Sequence, residues 1–195
     1  MGRVFFARKR IFDIAVSLGL LCVLAVPMLI TAVVIRCESP GRAIFRQVRL
    51  GRGLRPFTVL KFRTMRVETP PCLASSELCG AERARSVTRV GRLLRRTGLD
   101  ELPQLLNVLC GDMSLVGPRP LIAREREMHA LRQMLGATEI RPGITGLAQV
   151  SGRDDSENGA RAYCDALYAR YASSRMDMRI LLSTVRTLIS GEGSN

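Results

Sequence analysis

The sequence predicts an α+β chain, mainly helical and held monotopically in a membrane: an N-terminal re-entrant helix-break-helix, a short β-hairpin and an amphipathic C-terminal helix. Three observations carry that prediction. Residues 14–35 hold no formal charge and contain Pro27, two short apolar runs flank Gly51-Arg52-Gly53, and apolar residues recur at helical spacing from Met178 to Ile189. The chain divides accordingly into a membrane-inserted region at 1–38 and a cytoplasmic domain at 39–195.

As one helix rising about 1.5 Å per residue, the uncharged run reaches roughly 33 Å, enough to cross a bilayer core. Arg8, Lys9 and Arg10 precede it as they would a signal peptide, but the run is longer than the usual signal core and lacks a small-x-small exit. Pro27 removes a helical hydrogen bond near its middle and clashes with the preceding turn, which predicts a break or kink there. Arg3, Arg8, Lys9 and Arg10 lie before the run; Arg36, Arg42, Arg46, Arg49, Arg52 and Arg55 follow it with only Glu38 as an acid. Both flanks therefore prefer the cytoplasmic side, which a segment that enters, breaks at Pro27 and returns satisfies.

After Ser39-Pro40-Gly41, residues 43–50 and 57–62 read as two strands of a hairpin. A loop follows from 67 to about 86, rich in Pro and Ser, and helical patterns resume near Val90. At the C-terminal end Met178, Leu181, Leu182, Val185, Leu188 and Ile189 share one helical face. Packing of that face on the core is the default expectation, and the membrane interface is the alternative.

Thirty basic residues against seventeen acidic ones give a formal charge of +13, so nucleic acid, an anionic membrane face or a phosphorylated substrate are the natural partners. Only Lys9 and Lys61 are lysines. Arginine's planar fork suits phosphate oxygens, although a genome-wide base bias produces the same excess. Six cysteines at irregular gaps, with no Cys-x-x-Cys and one histidine, disfavour a zinc module or a disulfide scaffold; Cys72 and Cys79 flank a loop and could pair.

Chemistry concentrates in Arg95-Arg96-Thr97-Gly98-Leu99-Asp100-Glu101-Leu102-Pro103-Gln104. Pro103 fits the first turn of a helix and Asp100 its N-cap, and acids at a helix start are stabilising without any catalytic role. Two adjacent carboxylates beside arginines also form a site in which a carboxylate ligates Mg²⁺ or attacks phosphorus while arginines hold phosphate oxygens. Pro118 and Pro120 restrict the backbone on both sides of Arg119, either as a rigid surface turn or to aim its fork. Arg141 opens a second Gly/Pro-rich segment, Arg141-Pro142-Gly143-Ile144-Thr145-Gly146, which by itself signals a turn.

In order, these segments resemble the monotopic phosphoglycosyl transferases, bacterial sugar transferases that load a sugar phosphate onto polyprenyl phosphate. The resemblance covers nearly the whole chain. It rests on Lys9-Arg10-Ile11-Phe12-Asp13, Phe45-Arg46-Gln47, Lys61-Phe62-Arg63-Thr64-Met65, Leu99-Asp100-Glu101-Leu102-Pro103-Gln104, the stretch from Gly111 to Pro120, and that from Arg141 to Gly146. Val26 stands before Pro27 where the family usually has a serine.

The resemblance implies a re-entrant helix on the cytoplasmic face of the bacterial inner membrane, Mg²⁺ dependence, and a covalent enzyme intermediate. Asp100 is then the nucleophile and Glu101 its partner, both candidate metal ligands, with Arg95, Arg119 and Arg141 as phosphate-contacting candidates. The implied partners are a UDP-sugar, polyprenyl phosphate and inner-membrane lipid, with no nucleic acid and with a homo-oligomer left open. The rival reading is a membrane-tethered cationic scaffold for nucleic acid or anionic lipid, which accounts for the charge but not for an acidic pair among arginines.

Overall fold

The computed structural model describes residues 3–66, 86–152 and 158–190. The loop expected between 67 and 86, with Cys72 and Cys79, falls almost wholly outside the described residues. Helix α1 spans Arg3–Glu38 and passes through Pro27 without leaving the helical conformation. The expected helix-break-helix is thus corrected: no interruption of secondary structure occurs. Proline removes one intrahelical bond, and within a long apolar segment the alternative of freeing several more backbone groups costs more. One turn later Thr31 Oγ1 donates to the Pro27 carbonyl at 2.8 Å, a back-bond of the kind that bends helices.

One narrow stripe of α1 faces the rest of the protein. Asp13, Ser17, Leu21, Leu24, Met28, Ala32 and Ile35 are among its buried or half-buried positions, at steps of three or four residues, while Val23, Val26 and Leu29 are 75, 66 and 66% exposed. Toward the N-terminus, Phe5, Val16 and Leu21 pack on a core of Leu105, Leu115, Val116, Tyr168, Ala172 and Ile180. Toward the C-terminus, Ile35 joins Ala43, Phe62 and Leu94, with Met28 and Ala32 against them. Leu102 touches both clusters, so the segment that follows the two carboxylates rests on α1.

Polar contacts fasten both ends of α1. Lys9 Nζ lies 2.7 Å from Asp177 and 3.8 Å from Asp13; the Ser114 hydroxyl donates to Asp13 at 2.7 Å, and the Tyr168 hydroxyl to Asp177 at 2.6 Å. Arg10 donates to the carbonyls of Val108 and Leu109. These two cations dock the helix on the protein as well as contributing to its basic flank. At the other end Arg63 donates to the Ser39 carbonyl at 2.7 Å and to those of Ile35 and Pro40, tying the end of α1 and the residues just after it to the hairpin exit.

Strands β1 (Ile44–Leu50) and β2 (Pro56–Phe62) form the expected antiparallel hairpin, in register from Ile44 opposite Phe62 to Leu50 opposite Pro56. Helix α2 (Arg89–Thr97) is capped by Thr88 and receives Glu38 on its first amides, with Arg89 N at 2.7 Å. Gly91 lets it approach the hairpin exit: a Cβ there would lie 2.1 Å from the Thr64 carbonyl oxygen. Helix α3 (Gln104–Cys110) follows, then β3 (Ser114–Val116), α4 (Arg126–Met134), β4 (Gly143–Thr145), α5 (Leu147–Val150), α6 (Asn158–Tyr171) and α7 (Ser174–Ser190). Strands β3 and β4 pair in parallel, Ser114 with Gly143 and Val116 with Thr145.

The C-terminal helix α7 exists as expected, but its buried stripe is Asp177, Ile180 and, half-buried, Leu181 and Thr184. Met178, Leu182, Val185 and Leu188 of the apolar face are exposed, Leu182 at 63%. Core packing of that whole face is therefore corrected. Asp177 turns inward because Lys9 and Tyr168 hold it, and Thr184 because its hydroxyl meets that of Thr145 at 2.7 Å. Those polar contacts leave most of the apolar stripe outside.

Candidate active site

Gly98 ends α2 in a left-handed conformation (φ 67°), and the chain turns at once into a single 3₁₀ turn, Leu99–Glu101. Asp100 is not the N-cap of α3. Pro103 occupies that position, and no side chain caps the helix. The capping explanation for the acid is thereby removed, and both carboxylates are set beside the hairpin instead.

Glu101 sits in a ring of donors. Lys61 Nζ on β2 is 2.5 Å from Glu101 Oε1, and Arg119 Nη1 is 3.9 Å from the same oxygen. Burial pushes the Glu101 carboxyl up, but Lys61 and Arg119, with hydrogen bonds from Lys61 and Gln104, outweigh it and hold the group below its ordinary value. Asp100 is driven the other way. Burial is the main cause, the neighbouring Glu101 charge adds to it, and Lys61 and Arg95 only partly offset the rise. Two adjacent carboxyls with opposed shifts are the arrangement in which one stays a fixed anion and the other becomes the more basic and more nucleophilic.

Arg95, from the last turn of α2, is held by a 2.8 Å bond from its Nε to the Thr64 hydroxyl and acts electrostatically on Asp100. Arg119 follows β3 between two prolines and reaches Glu101. The structure thus brings Asp100, Glu101, Arg95 and Arg119 together. Arg141 is placed elsewhere: its Nε donates to the Gly111 carbonyl at 2.8 Å, and its charged neighbours are Arg10, Arg52 and Asp13.

Lys61 and Arg49 complete the cleft, which Glu101, Gln104 and Arg119 also line. Arg49 binds Gln47 Oε1 through Nε and Nη2 at 2.9 and 2.6 Å and the Pro120 carbonyl at 3.1 Å, bracing the loop that carries Arg119. Burial, and then Arg119, lowers its guanidinium to about 10. Residue types alone do not single these two out. Strand parity does, because Gln47 and Arg49 on β1 and Lys61 on β2 share the face of Val59, which is buried against α3.

Replacing Lys61 with methionine is expected to move the acid limb of a kcat/KM profile to higher pH. Lys61 lowers both carboxyls, so removing its charge raises the pH at which Asp100 ionises. An unmoved limb would show that Lys61 does not govern the pair's ionisation.

Among the described residues no three His, Cys, Asp or Glu side chains group into a metal site. Mg²⁺ keeps several waters and takes one or two carboxylates together with substrate phosphates, so the Asp100 carboxylate and the second oxygen of Glu101 fit such an ion only in company with a diphosphate.

Carboxylates ringed by cations thus stand on a chain that also carries a long exposed apolar helix. Residues 4–191 match the family model described as bacterial sugar transferase, and the chain belongs to that family. It is 43% identical to the UDP-glucose:undecaprenyl-phosphate glucose-1-phosphate transferase of Caulobacter vibrioides, covering 96% of this chain and 72% of that protein. It is 40% identical to an exopolysaccharide production protein of Rhizobium leguminosarum (95% and 97% covered). Identity is 38% to the undecaprenyl-phosphate galactose phosphotransferase of Salmonella typhimurium, over 95% of this chain and 41% of that protein. Family membership decides between enzyme and cationic scaffold in favour of the enzyme.

Proposed function

We propose that the protein transfers a sugar phosphate from a UDP-sugar to polyprenyl phosphate, releasing UMP, through an aspartyl-phosphosugar intermediate on Asp100. The observation that carries this reading is the pair of adjacent carboxyls set among Lys61, Arg95 and Arg119, their pKa values pushed in opposite directions. The activities that the Caulobacter and Salmonella relatives are named for supply the substrate classes.

The Asp100 carboxylate attacks the β-phosphorus, the bond from that phosphorus to the bridging oxygen breaks, and UMP leaves with that oxygen. An oxygen of the polyprenyl phosphate then attacks the same phosphorus, forming the lipid diphosphate sugar and returning Asp100 as a carboxylate. Glu101, kept anionic by Lys61, holds the cations of the cleft in place; Arg95 and Arg119 bind phosphate oxygens. Asp100 and Glu101, together with the diphosphate, would hold a Mg²⁺ ion, which would supply neutralisation of phosphate charge.

The test is UMP release from a panel of UDP-sugars with polyprenyl phosphate and Mg²⁺. Excess chelator is expected to abolish release while leaving the helical signal intact. Full turnover in chelator removes the ion from the mechanism, and no UMP from any UDP-sugar overturns the reading.

The apolar segment is read as re-entrant by bending at Pro27, on the cytoplasmic face of the bacterial inner membrane. What supports this is that Lys9 and Asp13 near one end and Ile35 at the other pack on the same protein body, on which a straight crossing is hard to build. The exposed apolar face of α7 then lies in the interface beside it. Reporter tags at both termini are expected to read cytoplasmic; an N-terminus in the periplasm would sink this topology.

A further inference from the structure

A cavity of about 250 Å³, several times the ~30 Å³ share of one liquid water, opens where α1 begins. Phe6, Lys9, Arg10, Arg52, Glu139 and Arg141 are among its lining side chains, and it shares none with the cleft beside Glu101. Its walls come from the start of α1, the hairpin tip, β3 and the residues before β4. The tip is held there by the Gly53 amide on the Thr138 carbonyl at 2.8 Å.

The charges do not cancel. Lys9 is matched by Asp177 at 2.7 Å, which leaves Arg10, Arg52 and Arg141 against Asp13 and Glu139. Burial lowers the Arg141 guanidinium, Arg10 and Arg52 lower it further and Asp13 only partly offsets them, so three like charges converge on two acids. Arg10 spends both Nη groups on the carbonyls of Val108 and Leu109, and Arg141 spends Nε on that of Gly111, which fixes the two forks at the end of α3. Among the described residues, the Nη groups of Arg141 and the whole fork of Arg52 have no recorded hydrogen bond.

We propose that this cavity binds a phosphate group, gripped by Arg52 and Arg141 under the field of Arg10, at a site separate from the Asp100–Glu101 cleft. Planar forks with donors to spare, converging in a recess, are suited to phosphate oxygens. The cavity adjoins the point at which α1 becomes apolar outside, where Ile11 is 70% exposed. A phosphate carried by a lipid would therefore have a surface for its chain, while free phosphate would need only the arginines.

The proposal is tested by binding, without sugar donor or acceptor, so its outcome is independent of the transferase reading. Melting midpoints of the full chain in non-ionic detergent are followed against inorganic phosphate in an Arg119→Ala background, which weakens the cleft's own hold on phosphate. Phosphate is expected to raise the midpoint there, and adding Arg52→Ser is expected to weaken the apparent affinity about tenfold or more, the loss of a charge-assisted bond. Arg52 is exposed and makes no recorded side-chain hydrogen bond among the described residues, so its removal spares the fold. The same substitution in the wild-type chain gives a second reading.

A parallel arm compares phosphatidylcholine vesicles with and without phosphatidylglycerol. Arg52-dependent stabilisation by phosphatidylglycerol identifies a lipid headgroup as the source; Arg52-dependent stabilisation by inorganic phosphate alone identifies a free phosphate. No midpoint shift with either probe, or an affinity unchanged by Arg52→Ser, overturns the proposal.

Discussion

Asp100→Asn is expected to gain no mass when incubated with a UDP-sugar and Mg²⁺ in the absence of lipid acceptor, whereas the wild-type chain gains one sugar phosphate that maps to Asp100. A carboxamide has no anionic oxygen with which to attack phosphorus, so turnover should fall by at least about a thousandfold, as when other covalent nucleophiles are removed. The same substitution should leave the melting midpoint equal or higher. Burial and the Glu101 charge already disfavour the charged form of Asp100, and a neutral isostere relieves that penalty. Activity lost with stability kept separates a catalytic role from a structural one, because Asp100 caps no helix whose loss could mimic inactivity. An Asp100→Asn protein that gains the adduct and releases UMP at the wild-type rate would assign the nucleophile to another residue.

Much of the fold is legible in the sequence because its signals are local. The hairpin follows from two apolar runs around Gly51 and Gly53, and its register needs nothing beyond that turn. Residues 14–35 are recognisable by the absence of charge. What the sequence obscures is which medium each apolar surface meets. Periodicity finds the stripe of α7 but not that Asp177 and Thr184 are drawn inward by Lys9 and Thr145, from distant parts of the chain. At Pro27 local chemistry argues for a break, and the cost of freeing further backbone groups inside a long apolar segment keeps the helix whole.

The site divides in the same way. Asp100, Glu101 and Arg95 are close in sequence and therefore easily suspected together, and the two prolines around Arg119 advertise a constrained arginine. Lys61 is forty positions from Glu101 yet makes its shortest ion pair. Arg141 looks equivalent to Arg119, each beside prolines and glycines, but its Nε is fixed on the Gly111 carbonyl at the end of α3, beside Arg10 and away from the carboxylates. Which arginine meets the carboxylates depends on how β3 and β4 pair, and no local motif encodes that pairing.

That pairing can be attacked directly. Gly117 follows β3 just before the Pro118-Arg119-Pro120 segment, and its amide donates to the Thr145 carbonyl at 2.9 Å. A Cβ at this position would lie 2.4 Å from the Arg141 carbonyl oxygen and 2.9 Å from the Gly143 amide nitrogen. Both obstacles are backbone, so no side chain can swing aside and the strands must part. Gly117→Ala is therefore expected to cost about 3 kcal/mol or more, at the upper end of the overpacking range, and to lower the melting midpoint by roughly 6–12 °C for a chain of this length. Turnover should fall as well, because parting the strands shifts Arg119 relative to Glu101. Gly159→Ala provides the comparison: it lies in α6 with nothing within 4 Å of the added Cβ, and alanine's better helix propensity should stabilise by up to about 1 kcal/mol. Opposite signs for the two substitutions would attribute the loss to the close approach of β3 and β4. If both variants melt at the wild-type temperature with full activity, the strand contact at Gly117 is not what positions Arg119.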